Sequence, residues 1–207
     1  MLRAVKPTIR PREEHSVDWM DKSIHEMGQR FKERLDSATN ENEIQEFLQA
    51  HPVLLALHLG GGHGRWVHPK PRFGAEHVPD FVIGEKSSVG YEWKLVELES
   101  PLMPLFTKAG NPSRYLTHAI RQIDDWKVWL RTNQNYASRP KDQQGLGFTD
   151  IDLNVPGLIL MGRRNAIDPA TNDRRRQMMT KMNIEIHSYD FLLDAALDRI
   201  ESTGGAS

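Results

Sequence analysis

Three acidic residues in the middle of the chain have the types and spacing to do chemistry: Asp80, directly after Pro79, and then Glu97 and Glu99, two apart at the end of the apolar-rich segment 91–99. In an extended strand, residues two apart face the same way, so Glu97 and Glu99 share one face while Val96 and Leu98 share the other, which is the natural core side. If segments 77–83 and 91–99 form a hairpin that pairs residues 85 and 90, Asp80 falls opposite Leu95. It then lies on the face of Glu97 and diagonal to it, with the two backbones roughly 7–8 Å apart. A one-residue slip would separate the acids onto opposite faces. Three carboxylates on one face repel one another unless a cation sits between them, and oxygen ligands in a chain without cysteine suit Mg²⁺ or Mn²⁺. Such an ion polarises a phosphoryl oxygen and lowers the pKa of a bound water, which is the chemistry of phosphodiester hydrolysis. The plainer reading is that Glu97 and Glu99 line the wet face of a half-exposed strand, and spacing alone favours it.

The elements that must position these acids follow from periodicity. Ser16 reads as the N-cap of a helix whose apolar stripe is Met20, Ile24, Met27, Phe31 and Leu35. Asn40 opens a second helix, with Glu43 three residues on in a capping-box arrangement; Ile44, Phe47 and Leu48 form its buried face and Pro52 ends it. A strand over 77–83, a turn-rich segment over 84–90 and a strand over 91–99 make the hairpin. A loop over 101–112 leads to a helix from Ser113 to about Leu130, followed by a long polar loop over 133–154. The continuous apolar run 157–162 reads as a fully buried strand. A basic helix over about 174–182, a strand over 184–187 and a last helix from about Tyr189 to Ile200 complete a mixed α/β sheet with helices against it. The expected organisation is an N-terminal arm and amphipathic helix (1–38), one α/β domain (39–202) and a frayed tail (203–207).

Composition narrows the functional classes. The 207 residues carry 27 basic and 28 acidic side chains for a net charge of −1, so any contact with a polyanion must use a local patch. Without cysteine there is no disulfide, thiolate nucleophile or Cys-ligated metal. No apolar run approaches the ~20 residues of a membrane span, and no apolar segment follows the basic residues at the start, so a cytoplasmic protein with no membrane association is expected. His58, His63 and His68 are spaced by five, which fits no familiar zinc pattern, and the glycine run 60–64 lacks the Gly-Lys-Ser/Thr ending of a phosphate-binding loop.

The order Pro79-Asp80, then Glu97-Leu98-Glu99, resembles the PD-(D/E)xK nuclease superfamily. Segments 43–52, 79–81, 96–101, 118–126, 160–163 and 188–193, in that order, resemble the Shedu-type immune nuclease domain of bacterial antiphage defence, over about residues 40–200. The resemblance implies a restriction-endonuclease-like mixed central sheet flanked by helices, and a Mg²⁺- or Mn²⁺-dependent DNA endonuclease that assembles as a homo-oligomer and uses no small-molecule cofactor. Matched by position, Asp80 and Glu97 are the metal-binding acids. Glu99 stands where most of the superfamily has lysine, so it would complete the metal shell or orient the attacking water. Lys94 alternates onto the opposite face and cannot replace that lysine easily, whereas Lys108 in the following loop is freer to do so. Gln122 matches a helix glutamine beside the metal, placed to bond a substrate phosphate or a ligating carboxylate. Glu43 would be the first-helix acid of the metal shell, in competition with its capping role, and Glu46 is the alternate. Arg163 and Arg164 could hold a phosphate bidentately, and Arg174, Arg175, Arg176 and Lys181 could track a nucleic-acid backbone or simply form a solvated face. The alternative function is a catalytically inactive module of the same fold that binds nucleic acid or a partner protein, and the missing lysine is its main support. A purely structural assembly subunit is the third possibility.

Overall fold

The computed structural model describes residues 13–198; the basic arm and the frayed tail lie outside them. Five strands form one sheet in the order β1 (Arg65–Pro69), β2 (Phe81–Ser87), β3 (Gly90–Leu98), β4 (Gly157–Leu160) and β5 (Ile184–His187). The first three are antiparallel, and β3, β4 and β5 run parallel. The helices are α1 (Ile24–Ser37), α2 (Glu41–Ala50), α3 (Arg114–Ser138), α4 (Pro169–Met182) and α5 (Asp190–Leu197). No helix among the described residues is long and apolar enough to cross a membrane.

Both faces of the sheet are buried. Phe81, Ile83, Val96, Leu98, Leu158 and Leu160 pack with Phe31 and Leu35 of α1, Ile44 and Leu48 of α2, and Leu192 of α5. On the other face Val82, Leu95, Ile159 and Ile186 meet Leu116, Ile123, Trp126 and Leu130 of α3. Glu97 shares this second face with Leu95, so the expected wet face does not exist: Glu97 and Glu99 are each 6% exposed. Two acids driven into a core need a chemical reason, because an unpaired buried charge is costly.

The hairpin turns over two residues only, Ser88 and Val89, and pairs Glu85 with Glu92 rather than with residue 90. Gly84, read from the sequence as the start of a turn, lies inside β2 opposite Trp93, and a Cβ there would strike the Trp93 ring. It marks close cross-strand packing instead. The register differs from the expected one by two residues, and an even shift preserves faces. One step beyond the Phe81–Val96 pair, Asp80 comes level with Glu97 rather than with Leu95.

Three other expectations are corrected. The first helix begins at Ile24, with Met20 73% exposed outside it, because Asp18 accepts from Met20 N–H and Asp21 from Ser23 N–H. Such local bonds compete with the helix. Ser16 is no cap but bridges to Trp66. Helix α3 runs on to Ser138 through a kink at Asn133, whose side chain bonds back to Trp129 O at 2.9 Å, so the expected 133–154 loop begins only after Ser138. Strand β1 was not legible as a strand: its buried Arg65 donates to the Ala56, Leu57 and Gly61 carbonyls, a tertiary arrangement that no alternation announces.

Candidate active site

The end of β3 opens into a cavity of about 640 Å³ that collects polar groups from five elements. Asp80 arrives just before β2, Glu97 near the end of β3 and Glu99 just after it. Lys70 follows β1, Glu41 and Gln45 lie in the first turns of α2, and His118 and Gln122 are spaced one turn apart on α3. The β ladder carries Glu97 and Glu99 to the rim of the sheet, where Glu99 N–H still donates to Leu160 O at 2.9 Å and its own carbonyl accepts from Tyr189 OH at 2.8 Å.

Asp80 is held by three donors. Its Oδ2 accepts from Leu98 N–H at 2.9 Å, and its Oδ1 accepts from Lys70 Nζ at 2.7 Å and from the Gln45 amide. Lys70 itself takes a left-handed backbone, φ +46°, and its N–H donates to Asp80 O at 2.9 Å. A non-glycine residue in that region is strained by about 1–2 kcal/mol, and here the strain aims an ammonium group at the carboxylate.

Glu97 lies in the opposite condition. Its Oε2 is buried with no hydrogen-bond partner, and burial, reinforced by the charges of Asp80 and Glu99, pushes its pKa up to about 10. Glu41 is raised to about 7, chiefly by burial and then by Glu99 and Asp80. Burial also raises Glu99, against the pull of His118, whose Nδ1 is 3.5 Å from its Oε1. Gln122 Oε1 is a second buried acceptor without a donor. One atom each from Glu97, Glu99 and His118 lie within 4.8 Å of one another. Two orphaned acceptor oxygens beside crowded carboxylates are what a bound cation would satisfy. A donor set dominated by oxygen, with one imidazole at hand, fits Mg²⁺ or Mn²⁺.

Asp80, Glu97, Glu99 and Gln122 are thus brought together as expected. Glu43 is not: it points away from the cavity, accepting from Thr39 Oγ1 at 2.7 Å and Asn40 Nδ2 at 2.9 Å and pairing with Arg34, while Asn40 Oδ1 accepts from Glu43 N–H. Its capping role wins, and the α2 acid that lines the cavity is Glu41. Glu46 and Lys108 do not line the cavity either. Replacing Glu43 by alanine should lower the melting temperature by a few degrees and leave the chemistry of the cavity intact, as a thermal scan beside an activity assay will read. Lys94 does face the other side, where it pairs with Glu185 at 2.7 Å. Arg163 is committed to Asp36 at 2.9 Å and Asp190 at 3.2 Å, and Arg164 to Asp194, so neither is a free phosphate ligand. Sequence reasoning missed Glu41 and Lys70, and it gave no role to Gln45 or His118, which lie in the resembling segments 43–52 and 118–126.

A five-stranded mixed sheet covered by helices on both faces, with acids at the rim, fits the restriction-endonuclease-like α/β fold. Residues 38–193 match the family described as Shedu protein SduA, C-terminal, and the chain belongs to that family. The match includes every residue of the acidic cavity. No curated protein matches the chain.

Proposed function

We propose that the protein is a metal-dependent nuclease that hydrolyses DNA phosphodiester bonds in antiphage defence. Membership of the Shedu family supports the defence role. The observation that carries the chemistry is the pair of orphaned oxygens, Glu97 Oε2 and Gln122 Oε1, in a cavity that already holds Asp80, Glu99 and Glu41. Asp80 and Glu97, with the Gln122 carbonyl oxygen, would hold Mg²⁺ or Mn²⁺. When bound, the ion supplies Lewis-acid polarisation of the phosphoryl group and acidifies water.

The chain's own groups divide the remaining work. The Leu98 N–H and the Lys70 ammonium fix the Asp80 carboxylate in one orientation. Lys70 also brings to the cavity the positive charge that Glu99 does not supply, and it faces a phosphate oxygen as the pentacovalent arrangement gains charge. Glu99, kept toward its ionised form by His118, accepts the proton of the attacking water as the bond from phosphorus to the leaving oxygen breaks, and that oxygen takes its proton from solvent. The surrounding acids confine these roles to conditions in which a cation is present, because Glu97 gives up its proton beside Asp80 and Glu99 only when a cation offsets the charge.

Supercoiled plasmid incubated with the purified protein tests the proposal. Relaxation or linearisation with Mg²⁺ or Mn²⁺, absent in EDTA, is the expected result. Plasmid left intact under every divalent ion, but still retarded on a gel in EDTA, would replace the nuclease by the inactive binding module that the Glu99 position allows.

A further inference from the structure

Beside the acidic cavity lies a second one of about 340 Å³ with the opposite charge. Lys70, Arg72 and Lys141 line it with Pro71, Leu146 and Phe148, and no carboxylate is among its lining residues. Arg72 and Lys141 are exposed and form no ion pair or hydrogen bond through their side chains among the described residues. Lys70 lines both cavities, so its side chain borders the two.

This juxtaposition answers an electrostatic difficulty. The acidic cavity sets Glu41, Asp80, Glu97 and Glu99 against only Lys70 and Arg114, so a polyanion finds no net attraction there. The chain as a whole, at −1, gives no general attraction. A substrate carrying one charge per phosphate needs a local positive track that leads to the reacting bond. We infer that the Lys70–Arg72–Lys141 cavity is that track: it holds the backbone phosphates of the DNA strand flanking the scissile bond, and Lys70 is the hinge between strand binding and chemistry. The inference rests on the nuclease reading and names where its substrate lies. Pro71 and Leu146 give the track an apolar wall for the sugar edges, while the three cations contact phosphate without reading sequence.

The test measures binding separately from cutting. Fluorescein-labelled DNA duplex is titrated with protein in EDTA, by anisotropy, across a series of salt concentrations. The Arg72→Ala/Lys141→Ala double variant, altered at two exposed positions, is compared with wild type and with Arg176→Ala/Lys181→Ala. The latter removes the same charge from α4, which packs on β5 at the far edge of the sheet from β1. The expected result is weaker binding by the first double variant alone, with the slope of log affinity against log salt shallower by about 2, one per lost phosphate contact. Equal losses in both doubles would assign the effect to bulk charge and overturn the track. So would wild-type affinity and slope in the Arg72→Ala/Lys141→Ala protein, or a wild type that binds no duplex, whatever the plasmid assay shows. If the track variant alone loses its contacts while wild type cuts plasmid under no divalent ion, the track stands and the nuclease reading fails.

Discussion

Glu97→Gln is expected to abolish metal-dependent cleavage and, at the same time, to make the metal-free protein more stable at neutral pH. In the absence of a cation, burial and the neighbouring Asp80 and Glu99 charges keep Glu97 protonated up to about pH 10, whereas in the unfolded chain it ionises near 4.5. Between those values the folded state holds a proton that the unfolded state has lost. Stability therefore falls as pH rises through that window, by on the order of 1 kcal/mol per pH unit. Glutamine keeps the volume and can donate to Asp80 as the protonated acid does, but it has no proton to lose. Melting temperatures in EDTA from pH 5 to 9 should diverge, with wild type dropping below the variant as pH increases; the contribution of Glu41 is present in both and cancels. Mg²⁺ should raise the melting temperature of wild type, more strongly at higher pH because the ligand must be deprotonated, and leave the variant where it was. Parallel pH profiles, or equal stabilisation of both proteins by Mg²⁺, would remove Glu97 from the metal-binding role.

Asp80→Ala should also cut cleavage, by about 100- to 1,000-fold, the scale on which a single electrostatic group at a reacting centre counts. Its effect on stability has the opposite sign. Removing this carboxylate leaves the Leu98 N–H, inside the sheet rim, without an acceptor and Lys70 without its partner. A buried donor left unmade costs about 1–3 kcal/mol, and the protonated Glu97 loses its Asp80 acceptor as well. Urea unfolding should show a lower midpoint with an unchanged slope. Full cleavage by Asp80→Ala would dismiss the carboxylate from the site. Wild-type stability would show that its three hydrogen bonds carry no net structural weight. The contrast between the two variants also makes Glu97→Gln the cleaner probe of function, because its loss of activity cannot be traced to a weakened fold.

Much of the site was legible because its signal is short-ranged. The shared face of Glu97 and Glu99 depends only on the two-residue period of a strand. Asp80 joined them even though the hairpin register differed by two, since an even shift moves a residue along its face and not across the sheet. The capping pattern at Asn40 and Glu43 was equally local, and it correctly competed with the metal role of Glu43. What escaped notice depends on tertiary neighbours. Lys70 sits between two prolines after a strand that opens on a buried arginine, so nothing in its surroundings signals an aimed ammonium. Glu41 looks like any acid in a first helical turn. Arg163 and Arg164 read as phosphate ligands because their partners, Asp36, Asp190 and Asp194, lie far away along the chain. The burial of Glu97 and Glu99 was missed for the same reason, since the helix that covers their face of the sheet returns only after residue 113.

The mixed direction of the sheet has a consequence for the time at which the site comes into being. The β2–β3 hairpin closes over a two-residue turn, so Asp80 and Glu97 become neighbours through local contacts, on the microsecond scale of hairpin formation. His118 and Gln122 join them only when α3 docks, and the parallel pairing of Leu95 with Gly157 requires the whole crossover to close. On this topology the acids assemble before the groups that complete the cavity. Catalytic competence is therefore expected to trail hairpin formation in refolding, so that cleavage reports the docking of α3 rather than the appearance of the sheet.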